Sequence, residues 1–319
     1  MNVAVIKPGM LTTVQDSGRW GFQARGVPVA GPMDPVSHRL ANALVGNPRD
    51  AALLEVTLLG PELEFEDERL VAVAGADFEL VLDGRPAPSH APFTVSAGSH
   101  LRFGARRLGA RAYLAVSGGI TVAPVLGSRA THLVSAMGGV NGRALVAGDR
   151  LPLGVRSQAG LKACATPAAG RAALQGCLRS DSSTALRVLP GPQADYFAPD
   201  ALDALQSAPY IVASNSDRMG FRLEGPGLAH ARGGDIISDA TPVGVLQVPA
   251  SGQPILLMAD RQTTGGYPKI ATVIAADMTL AGQLAPADAI TFVVCTPRDA
   301  MTALIAQERA LMALEDRES

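Results

Sequence analysis

Short apolar runs, rather than long amphipathic stripes, dominate this chain. Residues 3–6, 70–74, 78–82, 101–103, 112–116, 186–189, 210–213, 255–258, 272–274 and 290–294 are such runs. Each is bounded by Gly, Pro, Asp or Ser, which predicts strands. Asp83-Gly84 after the 78–82 run predicts a hairpin turn. Three segments carry helical signals. Asp34 as N-cap with Pro35 behind it opens a helix that ends near Gly46-Asn47, with Val36, Leu40, Ala43 and Leu44 as its stripe. A short helix is predicted near residues 200–205, and a longer one over 297–315, where Thr296 and Asp299 resemble a capping box. Strands this short and helices this few predict an all-β protein of barrels or sandwiches, not a doubly wound α/β sheet.

The pattern also divides the chain. Residues 156–184 are rich in Ala, Gly and Ser and read as a linker. The stretches on either side resemble each other. Residues 19–26 match 218–225, residues 54–60 match 246–252, and residues 98–103 match 287–292, in the same order. Three ordered matches predict an internal duplication. The expected organisation is a β-barrel unit at 1–155, the linker at 156–184, a second unit at 185–298 and a C-terminal helix at 299–319. The two units are expected to face each other across a cleft.

Composition narrows the function classes. The 319 residues carry a net charge of −2 and no basic block, so nothing suggests nucleic-acid binding. No signal-peptide pattern opens the sequence, and the longest uncharged run is broken by Gly118, Gly119, Pro124 and Gly127. The expectation is a cytoplasmic protein that does not enter a membrane. Cys164, Cys177 and Cys295 are odd in number and lack CxxC spacing, which argues against a disulfide framework or a cysteine-rich metal site. Only three lysines, Lys7, Lys162 and Lys269, stand against 24 arginines, so a lysine inside a motif draws attention.

Three polar clusters are candidates for chemistry. In the first, residues 12–19, Gln15, Asp16 and Arg19 are expected to project from a loop, with a tight turn as the plain alternative for Asp16. Arg19 offers a fork that grips a carboxylate or phosphate. In the second, Asp34 is an N-cap, Asn42 is read as an exposed helix residue and Glu55 as a buried, paired one. The third is the strongest: Asp260-Arg-Gln-Thr-Thr-Gly-Gly-Tyr-Pro-Lys269, between two apolar strands. Gly265 and Gly266 let backbone approach a ligand closely. Thr263, Thr264 and Tyr267 add hydroxyls, Gln262 an amide, and Arg261 and Lys269 positive charge, a set suited to an oxyanion or planar amide. Asp217, Arg218 and Gln247 are the duplicated counterparts of Asp16, Arg19 and Glu55. No P-loop and no GxSxG elbow is present, so Ser117 lacks the context of a nucleophile. Cys295 reads as inert core within a strand.

These motifs carry a resemblance to a known family. PGxxTTVQDxGRxG at 8–21, GVPxxGxMDxxSxxxANxLVGN at 26–47, VLGSRAT at 125–131, SDRMGFRLEG at 216–225 and QVPxxGQPIxLxxDxQTTGGYPxIA at 247–271 all fit it. The family is that of the C subunit of the bacterial ATP-dependent 5-oxoprolinase, also called KipA, allophanate hydrolase subunit 2 or biotin-dependent carboxyltransferase. The resemblance implies a cyclophilin-like β-barrel fold. It also implies two partners from the same 5-oxoprolinase complex, an A subunit plus a KipI-like B subunit. The family complex opens 5-oxo-L-proline to L-glutamate with ATP and Mg, and a similar domain serves urea carboxylase, where carboxybiotin is the donor. No biotin-attachment Met-Lys-Met motif occurs here, so biotin would be carried by another protein.

Chemical type then assigns expected roles. Arg261 or Arg19 would clamp a substrate carboxylate, and Arg218, Gln247, Gln262, Thr263 and Tyr267 would line the site. Lys269, Thr264 and the amides of Gly265 and Gly266 would stabilise an oxyanion, and Asp260 or Asp16 would serve as base. Three functions compete: one component of an oxoprolinase, inactive alone; a carboxyltransferase working with a biotinylated partner; and a non-enzymatic antagonist of a kinase inhibitor.

Overall fold

Every residue of Leu53–Thr57 is buried, although Glu55 and Thr57 are polar, so this strand must be covered on both faces. That double cover organises the first half of the protein. The computed structural model describes residues 1–156 and 183–315. Cys164, Cys177, Lys162 and most of the stretch read as a linker lie outside the described residues.

The chain forms two compact units. Unit 1 comprises Met1–Arg19, Ala30–Leu178 and Arg309–Ser319, and unit 2 comprises Trp20–Val29 and Arg179–Glu308. The strands of unit 1 are β1 (Asn2–Lys7), β2 (Leu11–Gln15), β3 (Leu53–Thr57), β4 (Glu62–Phe65), β5 (Arg69–Leu82), β6 (Arg85–Ala87), β7 (Phe93–Val95), β8 (His100–Val116) and β9 (Arg150–Pro152). They make one nine-stranded sheet with the order β2-β3-β8-β4-β1-β9, and β5 lies along β8. The runs at 70–74 and 78–82 are one 14-residue strand, and those at 101–103 and 112–116 are one 17-residue strand. Bulges at Gly75–Leu80 keep the long pair in register. The hairpin turn is at Asp83-Gly84, both with positive φ, and Leu82 pairs with Arg85.

Residues 11–15 and 53–57 carry no clean alternation and were not legible as strands. On one face of this sheet Val14, Leu54, Val56, Leu63, Val71, Val73 and Leu114 form the main core. On the other, α1 (Pro35–Leu44) packs Val36, Leu40, Ala41 and Leu44 onto Leu53, Ala72, Ala74 and Tyr113. Asp34 caps α1 as the sequence suggests: its Oδ1 accepts from Val36 and Ser37 N–H at 3.1 and 3.0 Å, and its Oδ2 takes the Ser37 hydroxyl at 2.5 Å. Asn42 is a correction. It is buried, with Nδ2 on Ala51 O at 2.9 Å and Oδ1 accepting from Asn47 at 3.1 Å, so it ties the helix to the loop behind it.

Unit 2 is built on a closed seven-stranded barrel. Its strands are β10 (Ser183–Pro190), β11 (Tyr210–Val212), β12 (Gly220–Glu224), β13 (Asp239–Ala240), β14 (Val245–Gln247), β15 (Ile255–Leu257), β16 (Thr264–Gly265), β17 (Lys269–Val273) and β18 (Ala289–Val294). The ring runs β10-β17-β14-β15-β12-β11-β18, while β13 and β16 form a separate two-stranded ribbon. Leu186 and Val188, like Ile290 and Phe292, are buried between more exposed neighbours, the period-2 signature of a barrel wall. Helices α2 (Ala201–Ser207), α3 (Met278–Gly282) and α4 (Pro297–Glu315) complete the described α-helices. The capping box of α4 is reciprocal, Thr296 N to Asp299 Oδ2 at 3.1 Å and Asp299 N to Thr296 Oγ1 at 3.2 Å.

One matched pair from the sequence diverges in structure. Residues 218–225 supply β12, whereas 19–26 contain a short 3-10 turn at Gln23–Arg25. Cys295 follows β18 rather than lying inside it, and is half-buried. No described helix is long and apolar enough to cross a membrane.

The Asp34 cap yields a measurable expectation. Asp34→Ala leaves two helix N–H groups and a serine hydroxyl without their acceptor inside a buried layer. It should cost about 2 kcal/mol in denaturant unfolding, the upper range for a cap.

Candidate functional site

The polar stretch of residues 260–269 is positioned by the strands on either side of it. Beyond the end of β15, Met258 N donates to Met219 O at 2.9 Å and Asp260 N to Arg218 O at 2.8 Å. These bonds carry the pairing with β12 past the regular strand and set Asp260 beside Arg218. Arg218 Nε then meets Asp260 Oδ2 at 3.0 Å, and Nη2 meets Oδ1 at 2.9 Å. Both side chains are almost fully buried, 4% and 2% exposed. By chemical type alone, Asp260 was assigned to proton transfer and Arg218 to substrate. Here each side chain engages the other, a two-pronged buried pair that braces the start of the stretch.

The chain next forms β16, which pairs with β13 through Asp239–Gly265 and Ala240–Thr264. Gly265 lies close over the Gln247 amide: a Cβ there would stand 2.6 Å from Gln247 Nε2, so that side chain would have to shift to admit one. Gln247 is buried under this ribbon. Its Oε1 accepts from Gln262 Nε2 at 3.3 Å, and its Nε2 donates to Tyr267 O at 3.4 Å. These are long bonds between amides able to take better partners. Thr241 Oγ1 donates to Gln262 O, and Thr241 N to Thr263 O at 3.1 Å. Arg261 Nε donates to Thr241 O at 2.7 Å and Nη1 to Met258 O at 3.4 Å. Burial pushes the Arg261 pKa down, and backbone dipoles rather than a carboxylate carry its charge.

Lys269 ends the stretch. The β14–β17 register shifts between Leu246 and Gln247, so Gln247 faces Lys269 across the ladder. The Lys269 side chain is 2% exposed, and its Nζ donates to Asp239 Oδ2 at 2.8 Å. That contact holds the Asp239 carboxyl below its usual range. Thr264 and Tyr267 are exposed at the outer edge, and Gly266 O accepts from Ile236 N at 2.8 Å. Unit 2 thus brings together Gln247, Arg261, Gln262, Thr263, Gly265 and Lys269. Sequence reasoning missed Thr241, Asp239 and Gln193, which complete the cluster from about 20 to 80 positions away. No local pattern marks them.

Asp16 and Arg19 belong to unit 1 and have their own surroundings. Gln15 ends β2, so it is a strand residue rather than part of a loop. Asp16 Oδ1 accepts from Gly18 N at 3.0 Å and Ser128 Oγ at 2.6 Å, and Oδ2 from Arg129 N at 2.5 Å. Arg19 donates to the carbonyls of Val125 at 2.8 Å and Ala130 at 2.9 Å. Together they organise the 125–131 segment. Glu55 is buried and paired as expected, with Oε2 accepting from Tyr113 Oη and Met33 N, both at 2.8 Å. His38, on the buried face of α1, lies in the same layer. Burial drives its pKa down to about 4, against the raising effects of Asp16 and of a bond to the Gln15 backbone. Ser117 Oγ accepts from Leu70 N at 3.1 Å, a structural bond.

The comparisons with known proteins fit this geometry. The family model for the carboxyltransferase domain, subdomain A and B, matches residues 25–294. The chain is 40% identical to the C subunit of 5-oxoprolinase from Escherichia coli, over 96% of this chain and 95% of that protein. It is 36% identical to urea amidolyase of Lachancea kluyveri over 98% of this chain but only 18% of that protein. The crystal structure of the K. lactis urea amidolyase superposes with a TM-score of 0.90 at 31% identity, over 99% of this chain and 20% of that one.

Two outcomes follow for these buried groups. Asp260→Ala removes both prongs of the buried pair with Arg218 and should cost about 3–5 kcal/mol in unfolding free energy; a loss below about 1 kcal/mol would show that the pair does not brace the fold. For His38, unfolding raises the pKa from about 4 towards 6.5, so the unfolded chain binds the extra proton. Stability is therefore complete above pH 6.5 and falls by about 3 kcal/mol as pH drops to about 4. His38→Gln should flatten that part of the stability–pH curve.

Proposed function

The chain belongs to the carboxyltransferase domain, subdomain A and B, family, and on that premise we propose that it acts as the C subunit of an ATP-dependent 5-oxoprolinase. The observation that carries this reading is the end-to-end match: 95% of the E. coli 5-oxoprolinase protein is covered at 40% identity. In this reading an A subunit plus a KipI-like B subunit complete the complex, and the protein works in the cytoplasm.

A lactam is a resonance-stabilised amide and resists water. Transfer of the terminal phosphoryl group of ATP to the lactam oxygen makes that oxygen a leaving group and releases ADP. Water then adds to the ring carbon and the C–N bond breaks, giving glutamyl phosphate; a second water hydrolyses that acyl phosphate to L-glutamate and inorganic phosphate. The site contributes binding and charge. Arg261, whose charge rests on carbonyls, is suited to grip the substrate carboxylate. Lys269 lies in a buried setting where an ammonium stabilises developing negative charge strongly. Gln247 and Gln262 offer amide groups complementary to a lactam N–H and C=O. With Asp260 held by Arg218, proton transfer in unit 2 falls to other groups of the complex or to the water itself. In this reading ATP and its Mg ion are bound at the level of the complex, in keeping with a Gly-rich stretch here that lacks the P-loop pattern.

A second reading has its own support. Urea amidolyases match this chain over about a fifth of their length, at 36% identity for the L. kluyveri protein and with a TM-score of 0.90 at 31% identity for the K. lactis structure. In that reading a biotin carried by another protein supplies the carboxyl group, and the same donors hold a carboxylate and an amide or urea nitrogen. The donor set of Lys269, Arg261 and Gln262 fits such groups equally well.

The test is the complex isolated from its native host and assayed for ATP-dependent glutamate release from 5-oxoproline, with blotting for biotin. Glutamate release without biotin supports the first reading; a co-purifying biotinylated protein and no release overturns it. In an active complex Lys269→Ala should reduce turnover by at least about 100-fold, and near-normal turnover would remove Lys269 from the site.

A further inference from the structure

The Lys269–Asp239 pair is lopsided. In the Arg218–Asp260 pair both partners are buried, 4% and 2% exposed. In the Lys269–Asp239 pair the ammonium is 2% exposed and the carboxylate 54% exposed. A buried cation is thus neutralised by an anion that reaches in from the surface. The carboxylate is well held. Asp239 Oδ2 accepts from Lys269 Nζ at 2.8 Å and Oδ1 from Ala240 N at 2.8 Å, and the neighbouring Gln193 side chain is the last of the groups that lower its carboxyl pKa. Gln193 is tied to the same place, its Oε1 accepting from Lys269 N at 3.3 Å.

The element that delivers Asp239 is slight. β13 is two residues long, pairs with β16 alone and takes no part in the barrel. The nearby Ile237 is 94% exposed. Lys269 and Gln193, by contrast, sit on the barrel strand β17 and the turn bonded to it. The fixed half of the contact is the donor set, and the replaceable half is the carboxylate.

From this asymmetry we infer that Lys269 and Gln193 form a carboxylate-binding cradle, and that Asp239 fills it as an internal stand-in for the carboxylate of a small-molecule substrate. The inference rests on the reading of residues 260–269 as a substrate site, narrows it to carboxylate-bearing substrates, and moves the carboxylate contact from Arg261 to Lys269, leaving Arg261 for developing negative charge. The exchange conserves charge. When a substrate carboxylate enters and Asp239 swings out to water, the buried ammonium keeps a counter-ion and the barrel is spared an unpaired charge. Asp239 therefore guards the empty site and sets a threshold of substrate concentration for filling it.

Because the chain has only three lysines, Lys7, Lys162 and Lys269, the test can read Lys269 directly. The full chain is labelled with 13Cε-lysine, and the Lys269 resonance is assigned by its loss in Lys269→Arg. Acetate and 5-oxoproline are titrated into wild type, Asp239→Asn and Asp239→Ser. A tethered carboxylate competes at an effective concentration on the order of millimolar, so either variant should bind carboxylate at least about 10-fold more tightly than wild type, with a saturable shift of Lys269. A response to both probes, or to 5-oxoproline alone, supports the cradle and the lactam reading together. A response to acetate alone supports the cradle and counts against the lactam reading. A Lys269 signal that answers neither probe in either folded variant, or an amine that merely deprotonates near neutral pH, overturns the cradle.

Discussion

A lysine ammonium with 2% of its side chain exposed must find a counter-charge, and much of unit 2 is arranged around that need. The register shift between β14 and β17 sets Lys269 opposite Gln247. The β13–β16 ribbon brings Asp239 within 2.8 Å of Nζ. Gly265 lets that ribbon lie on the Gln247 amide, which a Cβ at 2.6 Å would push aside. The Arg218–Asp260 pair obeys the same rule deeper in the unit by burying both partners. One pair braces the stretch; the other keeps a charge available at its surface.

Much of this was legible in the sequence, and the reasons are specific. Pro35 after Asp34 announced α1, Thr296 with Asp299 announced α4, and Asp83-Gly84 announced a hairpin, because each signal acts within four residues. The stretch from Asp260 to Lys269 stood out because no simple turn needs so many polar groups. What escaped was long-range. Asp239, Gln193 and Thr241 join the cluster only through pairing of distant strands. Asn42 looked like an exposed helix residue because nothing nearby announces its bonds to Ala51 and Asn47. Residues 11–15 and 53–57 hid as strands because layers on both faces, one holding Glu55, Tyr113 and His38, erase the alternation that marks a half-exposed strand.

The relatives differ more in what surrounds the domain than in the domain itself. The chain is nearly coextensive with the E. coli 5-oxoprolinase component, yet it corresponds to about a fifth of a urea amidolyase with a TM-score of 0.90. Under either proposed reading the same donors would face a carboxylate and an amide, and the two readings differ in what the rest of each assembly would supply.

The ring of unit 2 is closed by β10 lying parallel to β18, with Ser183 opposite Ala289 and Val188 opposite Val294. The first and last strands of the barrel are therefore neighbours. On the ribosome, β10 emerges long before either of its partners, β17 and β18, and waits with both edges bare while roughly eighty to a hundred residues follow. The barrel cannot seal until translation has nearly finished, and closure carries the entropy of a very long loop. Until then both edges of β10 are open to pairing with other chains, the exposure that an early, unpartnered strand carries in any barrel closed by its last strands.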